Sequence, residues 1–389
     1  MSDISSLFPK VAIVADQMTA FGGADREMYS MLKVLPHVDI FTIIFNKEKY
    51  PTLKNKVYTT FVQKLSKFLP KGFYRHLKVL TPIAYESIDL EGYDLVISIS
   101  AGPAKGVITS LDQPHLAMVM TPPRSLWDKE LNVRGSKLKS LYKGLSNILN
   151  TYMRVWDYSI SKRVDYWSAN SNFIKRKIKK TYQQDAEVIY PGVEKKYFAK
   201  VSKERIEKIK ERYSLPEKFF LVVSRLYDYK RVDLAINASI KAKKQLYIIG
   251  EGPDKKYLEK IAGENNNIHF LGFLPSDDDV IVFYKLAEAL LFCGIEDFGL
   301  TPVEAMASGT PVIAYEYGGV LETVKENITG QFFSNEDELT TILKDFDKTR
   351  YNQDKIIKQA KTFSEEEFII NFTKYLKYIY EQENAKKNA

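Results

Sequence analysis

The chain is poor in cysteine, histidine and tryptophan, with one Cys, four His and three Trp in 389 residues. Cys293 alone cannot form an internal disulfide or a cysteine-built zinc site. Four His argue against a His-based metal cluster, and no metal is expected. No segment approaches the ~18–20 uninterrupted apolar residues of a membrane span. The opening residues, MSDISSLFPKVAIVAD, carry Asp3 where a secretory leader would be basic, and their apolar stretch is short. The expectation is a cytoplasmic chain, with peripheral attachment to the inner face of the cell membrane left open.

What is present is globular. Apolar residues make up 45% of the chain and charged residues 27%, too apolar a mixture for general disorder. The length favours two domains. The net charge of +8 is unevenly placed. Residues 1–200 hold 30 Lys/Arg and 18 Asp/Glu, net +12, and the remainder holds 27 and 31, net −4. The excess suggests an anionic partner for the N-terminal half.

Short apolar, β-branched runs alternate with helical patterns. VAIVAD (11–16), VDIFTIIF (38–45), YDLVISIS (93–100), HLAMVM (115–120) and VDYWSAN (164–170) read as strands. A second series follows the Lys-rich stretch 194–216: FFLVVSRL (219–226), QLYIIG (245–250), IHFLGF (268–273), EALLFC (288–293) and PVIAYE (311–316). Such alternation predicts parallel sheets with crossover helices, here in two successive α/β units. Residues 364–381 predict one amphipathic helix, with Phe368, Phe372, Tyr375, Leu376 and Ile379 on one stripe and the last residues, ENAKKNA, frayed.

The segment CGIEDFGLTPVEAMASGTPVIAYEYGGVLETV (293–324) carries the most chemistry. Thr301, Pro302 and Glu304 predict a helix start with Thr as N-cap, Pro at N1 and Glu at N3. Gly309 marks its end. A helix beginning there lies at the C-terminal edge of a parallel sheet, where ligands bind. Backbone N–H groups near Gly299 and Leu300 would suit an anion. Taken alone, Glu304 reads as a capping-box carboxylate and Glu296 as a solvated loop carboxylate.

The whole string resembles the retaining nucleotide-sugar glycosyltransferases of family 4, which have the GT-B fold. Glu296 and Glu304 match that family's Glu-x7-Glu pattern, and DFGLTP and the trailing EAMASGTPVIA…GG…E match around them. The resemblance implies that Glu296 lies near the donor sugar hydroxyls and that Glu304 binds the donor ribose. It implies that the backbone of Phe298, Gly299 and Leu300 holds the distal phosphate, and Thr301 is a further donor-binding candidate.

Supporting motifs extend the likeness. LVVSRLYDYKRVDLAI places Arg225 and Lys230 where that family clamps a diphosphate, a planar fork and a point charge on one anion. Arg231 reads as a surface residue. YIIGEGP (247–253) lacks a dinucleotide fingerprint, and the resemblance puts Gly250, Glu251 and Gly252 beside the nucleotide. Gly22 and Gly23 precede a helix, as in the family's first Gly-Gly loop.

VMTPPRSLWD (119–128) and the stretch from Arg154 to Phe173 resemble a subgroup that builds bacterial surface polysaccharide and O-antigen, many members using GDP-mannose. Met120, Pro122, Arg124, Trp127 and Asp128 are thereby acceptor-side or cleft candidates, and Arg154, Trp156 and Asp157 fit the same pattern. Met120 departs from it, standing where the subgroup has a His, and cannot donate a normal hydrogen bond. Asp277-Asp278-Asp279 reads as a turn and helix start, not a metal site.

Lys49 to Tyr85 contains eight Lys/Arg (49, 54, 56, 64, 67, 71, 75, 78) and no acid, with Leu65, Phe68, Leu69, Phe73, Tyr74 and Leu77 interleaved. This pattern suits an anionic membrane surface or a soluble anionic acceptor. It matches no nucleic-acid recognition module.

Together these readings predict two Rossmann-like domains facing across a cleft: an acceptor-binding domain over 1–196, a donor-binding domain over 197–363, and a helix and tail over 364–389 that pack back on the first domain. The implied activity is transfer of a hexose, mannose from GDP-mannose first, to a glycan or lipid-linked glycan acceptor. Arg225, Lys230 and Glu296 are the catalytic candidates, and no cofactor is expected. A UDP-sugar donor, a phosphorylase of similar fold and a catalytically degenerate binding protein are the alternatives.

Overall fold

The computed structural model describes residues 4–68, 80–128 and 139–388, without side chains for 139–146. The basic and aromatic residues expected at 69–78 lie outside the described residues.

The first series of runs forms a seven-stranded parallel sheet of β1 (Val11–Ala15), β2 (Asp39–Thr42), β3 (Val57–Thr59), β4 (Leu95–Ser100), β5 (His115–Val119), β6 (Tyr166–Ala169) and β7 (Glu187–Val188). Its order is β3-β2-β1-β4-β5-β6-β7. The second forms a six-stranded parallel sheet of β8 (Phe220–Val223), β9 (Leu246–Ile249), β10 (Ile268–Gly272), β11 (Leu290–Phe292), β12 (Val312–Tyr315) and β13 (Gly330–Phe333), in the order β10-β9-β8-β11-β12-β13. Each order reverses once, between β1 and β4 in the first sheet and between β8 and β11 in the second. Crevices at such reversals are the usual ligand sites of open α/β sheets.

The central strands β1, β4 and β5 are buried at every residue because helices cover both faces. That is why they read as unbroken apolar runs. His115 is part of this interior, and its Nε2 lies 2.9 Å from Ser98 Oγ. Burial pulls its pKa down to about 3, so the ring stays neutral. Three strands were not expected: β3, β7 and β13. All are edge strands of four residues or fewer, too short and too polar to show a period.

Residues up to Tyr190 and from Phe368 onward form one compact unit, and Pro191–Glu367 forms another. The chain therefore crosses between units twice, once near Pro191 and once inside its last helix. The two crossing segments bond to each other: Val193 N donates to Phe363 O at 2.9 Å and Glu365 N to Val193 O at 3.0 Å.

The last helix, Glu365–Lys387, packs on the first unit as expected. Phe368, Phe372, Leu376 and Ile379 recur at spacings of four, four and three, and bury among Val11, Ile13, Leu95, Ile97 and Met118. The helix does not stop near 381. Glu383 accepts from the Tyr166 hydroxyl at 2.6 Å, a bond that holds the final turns against β6.

Candidate active site

In the second unit, the loops after β8 and β11 flank the reversal point. Arg225 follows β8 and is exposed, its guanidinium 5.6 Å from the Tyr227 ring. The turn Asp228–Lys230 then brings Lys230 back over the strand end. Its ammonium pairs with the Glu296 carboxylate from the loop after β11, and both side chains are mostly buried. This cation and carboxylate thus bridge the two strands that define the crevice. Arg231 is not the surface residue expected. It is half-buried in a left-handed conformation (φ 49), with its guanidinium 4.7 Å from the Tyr315 ring.

The helix after β11 runs Leu300–Ala307 and begins two residues before the position that Thr301-Pro302 suggests. Gly299 is its N-cap, at φ 92. Only glycine takes this left-handed conformation without strain, and a Cβ there would also sit 3.2 Å from Phe292 Cζ. Glu304 therefore falls in the second turn and cannot close a capping box. Instead it is buried and accepts from the Tyr284 hydroxyl at 3.0 Å. Phe298 is buried against the Phe363 ring, so it anchors the loop and leaves its backbone to line the edge. Gly309 ends the helix at φ 84, as expected.

Close backbone approach fixes the remaining loops. A Cβ on Gly250 would lie 1.9 Å from Ser224 O, and one on Gly252 2.2 Å from Leu226 O. Leu226 N donates to Glu251 O at 3.0 Å, so the β8 and β9 loops travel together. The Glu251 side chain itself turns to Lys255 at 2.8 Å. Under the Glu296 loop, a Cβ on Gly318 would meet Glu296 O at 2.5 Å and one on Gly319 would meet Asp297 O at 2.2 Å. A Cβ on Gly294 would likewise lie 3.0 Å from Lys230 Cα. These glycines let the loops that carry Lys230 and Glu296 approach closely.

The acidic run Asp277–Asp279 opens the helix Asp277–Leu286 and pairs with protein cations. Lys196 reaches Asp277 at 2.8 Å and Arg205 reaches Asp279 at 2.8 Å.

In the first unit, Gly22 is the N-cap of the helix Gly23–Val34, which follows β1. Its N–H is already taken by Asp25 Oδ2 at 2.7 Å, and Asp25 Oδ1 accepts from the Tyr50 hydroxyl at 2.7 Å. Met120 follows β5. Its N donates to Ser100 O at 2.8 Å, its carbonyl accepts from Asn170 Nδ2 at 3.1 Å, and its side chain packs on the sheet core. Pro122 is buried, and Arg124 opens the short helix Arg124–Trp127. Trp127 and Asp128 tie that turn down: Trp127 Nε1 donates to Asp157 at 2.7 Å and Lys177 donates to Asp128 at 2.9 Å.

Asp157 proves to be a buried hub. Besides Trp127 it receives Lys105 at 2.5 Å and the Tyr182 hydroxyl at 2.7 Å. Asp16, at the tip of β1, does similar work across the β1–β4 reversal. It accepts from Ala101 N, Ala104 N and Ser100 Oγ at 2.7, 3.1 and 3.1 Å. Sequence reasoning missed Asp16, Lys105 and Tyr284. Each lies more than fifteen positions from a partner, so no local spacing exposes it.

Comparison with known proteins now adds to this geometry. Residues 203–363 match the model of glycosyl transferases group 1. The match spans 161 of the 389 residues. An uncharacterized glycosyltransferase of Methanocaldococcus jannaschii is 33% identical over 162 residues, 39% of this chain and 41% of that protein. The alpha-1,3/1,6-mannosyltransferase ALG2 of Kluyveromyces lactis is 28% identical over 309 residues, 67% of this chain and 58% of that protein. The chain thus spans about half the length of these curated relatives. The crystal structure of Anabaena HepE with UDP and glucose aligns over 95% of this chain and 99% of its own, with TM-score 0.69 and 18% identity. The fold is that of the GT-B glycosyltransferases, with two parallel-sheet Rossmann-like units.

Proposed function

We propose that the protein is a retaining glycosyltransferase that moves a hexose from a nucleotide-sugar donor to a glycan or lipid-linked glycan acceptor. The observation that carries this reading is the Lys230–Glu296 pair at the β8–β11 reversal, with Arg225 and the Gly299-capped helix on its two sides. In this reading the donor diphosphate displaces the Lys230 ammonium from Glu296. Lys230, Arg225 and the N–H groups of 298–300 then meet the charge that develops as the sugar departs. Glu296 is released to hydrogen-bond the donor sugar, and Glu304 the ribose. A front-face route follows, in which the leaving diphosphate helps take the proton from the acceptor hydroxyl. No metal is required, since the cations of the site supply the counter-charge.

GDP-mannose is the first donor to try. The likeness to ALG2 and to the D-rhamnosyltransferase WbpZ of Pseudomonas aeruginosa, at 28% and 25% identity, supports a donor of the mannose type. A UDP-sugar is the alternative, since HepE holds UDP and glucose. The test is a panel of GDP- and UDP-sugars, scored by slow hydrolysis and by protection against thermal unfolding. Protection by GDP-mannose supports the reading. Protection by UDP-sugars alone moves the donor, and protection by none overturns the proposed activity.

A further inference from the structure

Over residues 147–160, the helix Lys139–Ile160 carries apolar side chains on two sides, one buried and one exposed. Met153, Asp157 and Ile160 point inward and are buried. Ile148, Tyr152 and Val155, at spacings of four and three, form a stripe on the opposite side and are 70%, 54% and 65% exposed. A stripe of this kind on an otherwise ordinary surface marks an interaction site.

The stripe has company on the same side of the sheet. Trp156 Nε1 donates to Glu86 at 3.3 Å and the Trp156 ring packs on Gly106, so this helix leans on the helix Thr81–Glu86 and the turn Pro103–Gly106. Those two elements, with the helix Phe61–Ser66, bury Val62, Ala84, Tyr85 and Ala104 in one cluster over Ala12, Val14, Phe41 and Val96. From the outer side of that layer, Phe61, Leu65, Phe68 and Ile83 are also exposed, Phe68 to 86%.

Charge decides what this layer fits. Lys64 and Lys67 are exposed between Phe61 and Phe68, and that helix has no acid. Among the described residues of the three helices there are two acids. Asp157 is buried on Lys105, and Glu86 is bonded to Arg163 at 2.8 Å. An outward surface of apolar side chains with Lys64 and Lys67, which have no acidic partner among the described residues, is complementary to anionic lipid. It is a poor match for a second copy of itself, because like charges would face each other.

We propose that the exposed stripe Ile148-Tyr152-Val155, together with the exposed Phe61, Leu65 and Phe68, seats the first unit on an anionic lipid bilayer. The apolar side chains enter the headgroup boundary and Lys64 and Lys67 meet lipid phosphates. No described helix is long and apolar enough to cross the membrane, so the contact is interfacial. This seating goes beyond the glycosyl-transfer reading and does not depend on it.

The experiment is vesicle flotation of the full chain, without any sugar, on phosphatidylglycerol–phosphatidylcholine vesicles and on phosphatidylcholine alone. The wild type is expected to float with the anionic vesicles and much less with the neutral ones, and to be released as salt is raised. The triple variant Ile148→Ser, Tyr152→Ser, Val155→Ser changes only exposed side chains and should keep the wild-type melting curve. Its partition onto anionic vesicles is expected to fall about tenfold or more. Unchanged flotation of the triple variant overturns the proposal, as does a wild type that stays in the soluble fraction. A wild-type dimer in solution that the triple variant turns into monomer also overturns it, since the stripe would then bind a second copy.

Discussion

The Lys230 ammonium and the Glu296 carboxylate pair across the two strands at which the second sheet changes direction. Neither would be held there by its own loop alone. Gly294 lies against the Lys230 backbone, and Gly318 and Gly319 lie under Glu296 and Asp297. The pair joins two loops that are 66 positions apart and presents both charges at the crevice.

Lys230→Ala and Arg225→Ala are each expected to lower glycosyl transfer by ~10²–10³ in kcat, because each removes a preformed counter-charge for the leaving diphosphate. Circular dichroism and thermal melts should show the fold intact, since both groups are at the sheet edge and outside the core. Wild-type rates in both variants would refute the diphosphate-clamp assignment.

Tyr284→Phe tests the buried carboxylate. It removes the hydroxyl that donates to Glu304 at 3.0 Å and leaves Glu304 one donor short. The expected loss of stability is about 1–3 kcal/mol, read as a lower urea midpoint at unchanged slope. If Glu304 holds the donor ribose, KM for the donor should rise more than kcat falls.

Gly250→Ala and Gly263→Ala separate close approach from backbone strain. Both glycines have positive φ, 137 and 60. A methyl at 263 meets nothing within 4 Å, while one at 250 would sit 1.9 Å from Ser224 O. Gly263→Ala should cost about 1–3 kcal/mol from backbone strain alone, because φ 60, ψ −142 is a conformation that only glycine adopts readily. Gly250→Ala should cost more than about 4 kcal/mol, or fail to yield folded protein. Equal melting temperatures for the two would count against the tight β8–β9 packing.

Glu27 gives the stability a pH dependence. It is buried on the helix Gly23–Val34, and burial pushes its pKa from 4.5 up to about 8. Below pH 4.5 both folded and unfolded chains hold the proton, and the group adds no slope. From there to about 8 the unfolded chain releases a proton that the folded chain keeps, so stability falls as pH rises. At pH 7 the loss is about 3 kcal/mol. Urea titrations between pH 5 and 8 should show this decline, and Glu27→Gln should flatten it. An identical slope in the variant would rule out Glu27 as its source.

The sequence made much of this legible for a local reason. Buried parallel strands are short apolar runs, and VAIVA, LVISIS and HLAMV announce themselves, as does the amphipathic stripe of the last helix. Arg225, Lys230, Glu296 and Glu304 stood out because they cluster in two strings that resemble a known family. The helix start was misplaced by two residues because Thr301-Pro302 is a good local signal. Gly299 overrides it by taking a backbone conformation that the pattern of side chains does not show.

The order of residues by itself thus determined ten of the thirteen described strands, the apolar stripe of the last helix and the glycine-rich turns, because each depends on neighbours within a few positions. The tertiary structure alone decided which distant groups meet. It set Lys230 on Glu296, Tyr284 on Glu304, and Lys105, Trp127 and Tyr182 on Asp157. It also decided that Met153 and Ile160 are buried while Ile148, Tyr152 and Val155 of the same helix are not. Burial and pairing of this kind follow from how the sheets order their strands, and strand order has no local signature in the chain.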